Sequence, residues 1–191
     1  MRAFFAVGLP DSLAPAVADA QAPFADAAGV NPVDPEQAHV TLKFLGDIGG
    51  RDDGTEPTVD DVIAAGERAV DRAAVGPFKC TIADLGVFPN REYVSVAWAG
   101  VDSGTEELTA LHEALEAETT ALGVDPEEHE FTPHVTLARV ENATGADAVR
   151  GALDADDPEI GSFAVDEIRL MRSTLTESGP EYDVVREFDF G

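Results

Sequence analysis

The chain has 191 residues, 44% of them hydrophobic, and 38 acidic against 12 basic side chains give a formal net charge of −26. That length and content suit one domain with a sizeable core. No window approaches the roughly 18 uninterrupted apolar residues of a membrane-spanning helix, which argues against that class. Acidic residues fall in nearly every polar segment ("RDDGTEPTVDD", "EELTALHEALEAE", "DADDPE") instead of forming a tail, and Lys43 and Lys79 are the lysines. An even acidic coat with little lysine is the pattern expected of a high-salt, halophilic cytoplasm. A field of that sign would repel a polyanion at low salt. At 1 M salt the Debye length is only about 3 Å, and direct contacts decide. The opening apolar run is cut by Pro10 and Asp11, so no export signal is expected. The lone Cys80 reads as a small buried hydrophobe in a reducing, cytoplasmic setting.

In chain order, residues 2–9 predict a strand and 10–27 an alanine-rich helix entered at Asp11 or Ser12. Residues 37–46 alternate and carry β-branched and aromatic side chains, a strand stopped by Gly46. The glycine- and acid-rich "GGRDDGTEP" is the best candidate for a mobile loop. A helix over 58–75 has Val59, Val62, Ile63, Ala69 and Val70 near one face. Strands over 78–88 and 92–100 follow, then a helix over 105–123 with a leucine stripe at 108, 111, 115 and 122, ended by Gly123. A strand through 132–140, a short helix near 144–154, and strands over 162–173 and 181–190 complete the chain. The order predicts an α+β fold, a duplicated bilobal arrangement with two antiparallel sheets facing a central cleft and helices outside.

The duplication is visible at two short stretches half a chain apart. "AHVTLKFLG" and "FTPHVTLAR" both contain His-Val-Thr-Leu, and they hold two of the four histidines. On a strand, His39 and Thr41 point one way and Val40 and Leu42 the other; His134 and Thr136 behave alike. If each lobe contributes one tetrad, both polar pairs face one cleft. Two imidazoles on opposite sides of a reacting atom supply a general acid and a general base near neutral pH, which in-line displacement at phosphorus requires. The two threonine hydroxyls, further along the same face, can hydrogen-bond non-bridging oxygens as charge develops. This chemistry calls for no metal and no cofactor.

These tetrads, with "RAFFAVGLP", "LGVFP", "IRLMRSTL" and "GPEYDVV", resemble the two His-x-Thr-x motifs and landmarks of the two-histidine phosphoesterase superfamily, specifically the RNA 2′,3′-cyclic phosphodiesterases, or 2′-5′ RNA ligase-like proteins. The resemblance covers most of the chain. It implies that His39 protonates the departing ribose 3′-oxygen and His134 activates water, opening the cyclic ester to a 2′-phosphate. Thr41 and Thr136 would hold the phosphate, Arg139 would support the oxyanion, and Phe44 and Lys43 would contact substrate. The partner would be an RNA end or a nucleoside 2′,3′-cyclic phosphate, acted on by a monomer, with 2′-5′ ligation as the reverse reaction. Competing readings are a catalytically idle module that binds RNA ends, and a phosphodiesterase for another cyclic or 2′-5′ linked nucleotide. His129 in "HEFTPH" does not make a zinc-protease pair, because Pro133 stands where the second histidine would. His112 reads as a boundary residue of its helix, and Trp98 as packing.

Overall fold

The computed structural model describes residues 1–49, 56–155, 157–177 and 179–191; most of "GGRDDGTEP" lies outside them. Among the described residues, nine strands and four α-helices follow in the order β1 (Arg2–Gly8), α1 (Ala14–Gln21), β2 (Val30–Pro32), β3 (His39–Asp47), α2 (Val59–Ala73), β4 (Phe78–Pro89), β5 (Val94–Ser103), α3 (Thr105–Thr120), β6 (His134–Val140), α4 (Ala143–Leu153), β7 (Glu159–Val165), β8 (Glu167–Thr176) and β9 (Gly179–Asp189). Among the described residues no helix is long and apolar enough to cross a membrane. The architecture is the expected α+β one with helices outside, and the antiparallel strands expected in two sheets form one continuous sheet among the described residues. One set of strands, β9-β8-β1-β3, is joined to another, β6-β5-β4-β7, and β2 pairs with the free edge of β6. A single residue pair makes the join, Val40 on β3 facing Val135 on β6.

Each set is lined on one face by its own helices: α2 and α3 lie against β9 and β3, α1 and α4 against β5, β6 and β7. The alternating strand residues on that face are buried, among them Phe5, Val7, Val40, Leu42, Ile168 and Leu170 on one side and Ile82, Ala97, Ala99, Val135 and Leu137 on the other. Val62 and Ala69 of α2 and Leu108, Leu111 and Leu115 of α3, from the stripes that helical spacing predicts, are buried in the same core. Helix α2 approaches closely because Gly66 has no side chain: a Cβ there would stand 2.8 Å from Phe188 and 2.9 Å from Phe5. Its start is fixed by a capping box between Thr58 and Asp61. Cys80 is fully buried, and burial, with the nearby charge of Glu107, pushes its thiol up to about 11.

Three expectations change. The first helix ends at Gln21 because Pro23 cannot continue it. The segment 162–173 is two strands that separate at Asp166 and go to different sets, β7 beside β4 and β8 beside β1. The signal lay in the spacing: Val165 and Ile168 are both apolar and both buried, and residues three apart cannot share one face of a single strand. As a result the two spatial halves are not the two halves of the chain. Strands β4 and β5, which follow the first tetrad in sequence, lie beside the strand of the second, and the C-terminal β8 and β9 return to β1.

Candidate active site

The Val40–Val135 pair fixes the relation of the tetrads. Continued one residue either way, its antiparallel register sets His39 across from Thr136 and Thr41 across from His134. Val40 and Val135 are fully buried on the helix side, so all four polar residues stand on the opposite, cleft face. His39 and His134 are then diagonal neighbours, a relation that separates backbone positions by about 7–8 Å.

The two surroundings repeat one another residue by residue. On β1, Gly8, Val7 and Ala6 pair with His39, Val40 and Thr41, and Phe5 then skips to Lys43. On β5, Gly100, Ala99 and Trp98 pair with His134, Val135 and Thr136, and Ala97 then skips to Ala138. Each tetrad thus ends in a β-bulge that holds one extra residue, so Leu42 with Lys43, and Leu137 with Ala138, all turn to the buried side. The extra residue reverses the parity of the positions beyond it. Phe44 pairs with Phe4, and Arg139 with Val96, on the cleft face. Strict alternation would have put both, five residues after a histidine, on the wrong side.

Each histidine is oriented the same way. His39 Nδ1–H donates to the carbonyl of Gln37 at 2.8 Å, and His134 Nδ1–H to that of Thr132 at 2.6 Å. Both bonds reach back two residues and leave Nε2 without a partner among the described residues, free to exchange a proton. Aromatic rings hold the imidazoles from the sides. Tyr182 stands edge-on to His39 (centroids 5.1 Å, 84°) with Phe4 at 5.0 Å; Phe88 stands edge-on to His134 (4.9 Å, 80°) with Trp98 at 5.9 Å. Gln37 also accepts from the backbone N–H of Tyr182 at 2.9 Å, tying the C-terminal hairpin to His39. Burial lowers the pKa of both imidazoles below 6.5 and outweighs the carbonyl bonds, which raise it; at His39 the charge of His134 lowers it further.

The structure brings His39, Thr41, His134, Thr136, Phe44 and Arg139 to one face. Phe44 is 58% exposed, and Arg139 is exposed with no ion-pair partner among the described residues. Lys43 is a correction. The bulge turns it under the sheet, where it is 1% exposed and pairs with Glu116, so it cannot touch a ligand in the cleft. Trp98, expected as packing, packs directly beside His134. Gln37, Phe4, Phe88 and Tyr182 were not anticipated. Backbone carbonyls hold the histidines, so no residue type at positions 37 or 132 announces the role, and the rings arrive from strands remote in sequence.

A model of the 2′-5′ RNA ligase superfamily matches residues 9–177. A Methanothermobacter thermautotrophicus protein named RNA 2′,3′-cyclic phosphodiesterase is 35% identical over 190 residues, 98% of each chain. An Aeropyrum pernix protein of the same name is 36% identical over 156 residues, 81% of this chain and 83% of its own. The crystal structure of a Thermus thermophilus protein superposes with a TM-score of 0.78 at 29% identity, covering 100% of this chain and 98% of that one. Escherichia coli LigT complexed with 3′-AMP shares the fold, with a TM-score of 0.76 at 23% identity over 98% of this chain and 97% of its own.

Proposed function

From the premise that the chain belongs to the 2′-5′ RNA ligase superfamily, we propose that it is an RNA 2′,3′-cyclic phosphodiesterase that opens the cyclic end to a 2′-phosphate by acid–base catalysis between His39 and His134. The observation that carries this reading is the pair of tetrads on adjacent antiparallel strands, both histidines on one face and both bound through Nδ1 to a carbonyl two residues back. A phosphodiester between them meets one Nε2 from each side. His134 Nε2 takes the proton of the attacking water as its oxygen bonds to phosphorus. His39 gives its Nε2 proton to the ribose 3′-oxygen as the phosphorus–oxygen bond breaks, and the phosphate stays on the 2′-oxygen. The bound anion lies next to both rings, and its negative charge counters the burial and, after it, the His134 charge that lower His39 in the free protein, which favours the charged acid.

Thr41 and Thr136 offer hydroxyls to the non-bridging oxygens, and Arg139 supplies a guanidinium that balances their charge. Phe44 is a platform on which the base can stack. With a 5′-hydroxyl in place of water as the nucleophile, the same two proton transfers would bond its oxygen to phosphorus, break the bond to the 3′-oxygen and leave a 2′-5′ linkage, which is ligation. The repeated bulge supports descent of the two motifs from one ancestral unit, within a single domain of two lobes. The test is conversion of a nucleoside 2′,3′-cyclic phosphate in molar KCl with EDTA, where the expected product is the 2′-phosphate. Intact substrate in the presence of folded protein, or a 3′-phosphate product, overturns the proposal.

A further inference from the structure

Beneath the sheet, on the face away from the histidines, a polar cluster joins α3, β3 and the segment that runs into β6. Lys43 Nζ lies 2.8 Å from Glu116 Oε2 and 3.7 Å from Glu127 Oε1, and it donates at 2.8 Å to the carbonyl of Asp125. Glu116 Oε1 accepts from the backbone N–H of Glu127 at 2.8 Å. One turn earlier on α3, His112 is buried and its Nδ1–H donates to the carbonyl of Leu42 at 2.7 Å. The His112 ring stacks on Phe131, with centroids 4.1 Å apart and planes at 6°.

Lysine is almost never fully buried unless it is paired, and what Lys43 and His112 bind here is informative. Leu42 and Lys43 are the two residues of the bulge in which the first tetrad ends. Asp125, Glu127 and Phe131 belong to the segment that delivers the second, with Phe131 three residues before His134. A bulge disrupts its ladder locally, and His112 gives the Leu42 carbonyl the partner that a buried carbonyl needs. The ladder pairing of the tetrad strands is one residue pair, Val40 with Val135. That single pair fixes a register and leaves the angle between strands to other contacts.

We infer that His112 and Lys43 are positioning residues for the two-histidine site, a clamp under the sheet that holds the first bulge and the approach to His134 in one geometry. The inference rests on the proposed roles of His39 and His134. Neither clamp residue faces the cleft, so each acts through the placement of the imidazoles, and reaction rate is more sensitive to that placement than binding is.

The test compares His112→Leu, which removes the donor and the ring stack, with His112→Asn, whose amide can still donate to Leu42. For hydrolysis of cytidine 2′,3′-cyclic phosphate by the full chain in molar KCl, His112→Leu is expected to lower kcat about 10-fold or more while KM changes less than about 3-fold. His112→Asn is expected to recover most of the loss. In parallel, the imidazole NMR signal of His134 in the ligand-free protein is expected to move in His112→Leu and to return toward the wild-type position in His112→Asn. An unmoved His134 signal, an unchanged kcat, or a loss confined to KM overturns the inference. Should the wild-type chain lack turnover, the functional proposal fails and the NMR comparison alone decides the clamp. Should His112→Leu not fold, Phe131→Leu, which keeps the Leu42 bond and sheds the stack, carries the same expectations.

Discussion

Gly86→Ala probes the wall behind His134. Gly86 pairs with Trp98 across β4 and β5, and the indole lies over the space where a side chain would be. An added Cβ would stand 2.2 Å from Trp98 Cζ2, 2.3 Å from Cη2 and 2.6 Å from Cε2. Carbon atoms rest about 3.5 Å apart, so the ring must retreat by roughly 1.3 Å. Two neighbours limit that retreat, Phe88 at 5.0 Å and His134 at 5.9 Å between centroids. Overpacking of this kind costs about 1–3 kcal/mol. For a chain of this length that is a fall in Tm of about 2–12 °C. Because the displaced ring abuts an imidazole whose placement sets the rate, kcat is expected to fall about 10- to 100-fold. Trp98 is the single tryptophan, so its emission reports the displacement directly, alongside a thermal melt and turnover of a nucleoside 2′,3′-cyclic phosphate. An unchanged spectrum, Tm and kcat together would refute the packing argument; lost stability with full turnover would show that the wall does not hold His134.

His39→Ala and His134→Ala are each expected to lower kcat by about 10²–10⁴, and the double variant by little more than the worse single one, since acid and base act as a unit; additive losses in initial rates would contradict that. The pH dependence follows from burial, which lowers both imidazoles, and from the charge of His134, which adds to it at His39. The active form carries one proton on the pair, so kcat/KM is expected to peak below pH 6.5 and fall on both sides, and NMR titration should show both rings below 6.5 until a 2′-nucleotide is added. For stability the sign is the usual one for depressed histidines. Between the folded pKa values and 6.5 the unfolded chain binds more protons, so these groups make Tm rise with pH in that window and contribute nothing further above it. Lys43→Met strands Glu116 and is expected to cost about 2–3 kcal/mol, less than a fully enclosed pair because Glu116 is 24% exposed. Arg139→Met should leave stability within about 0.5 kcal/mol and lower kcat by about 10²-fold; thermal melts distinguish the two cations.

The repeat His-Val-Thr-Leu, read as a strand, already put His39 with Thr41 and His134 with Thr136 on polar faces, because side-chain alternation is a local property of extended backbone. The leucine stripe of α3 was legible for the same reason, as a 3.6-residue period. Lys43 and Arg139 show where that logic stops. Each lies at or just beyond a bulge, and whether a residue four or five positions from the histidine faces the cleft depends on an extra residue that only the pairing with β1 or β5 reveals. The partnership of the halves was hidden too. Strands β4 and β5 follow the first tetrad yet lie beside the second, since sheet neighbours are chosen by which buried faces fit and not by order along the chain. Local backbone geometry thus set which side chains could act, and long-range strand pairing, with α3 braced beneath it, decided which of them meet.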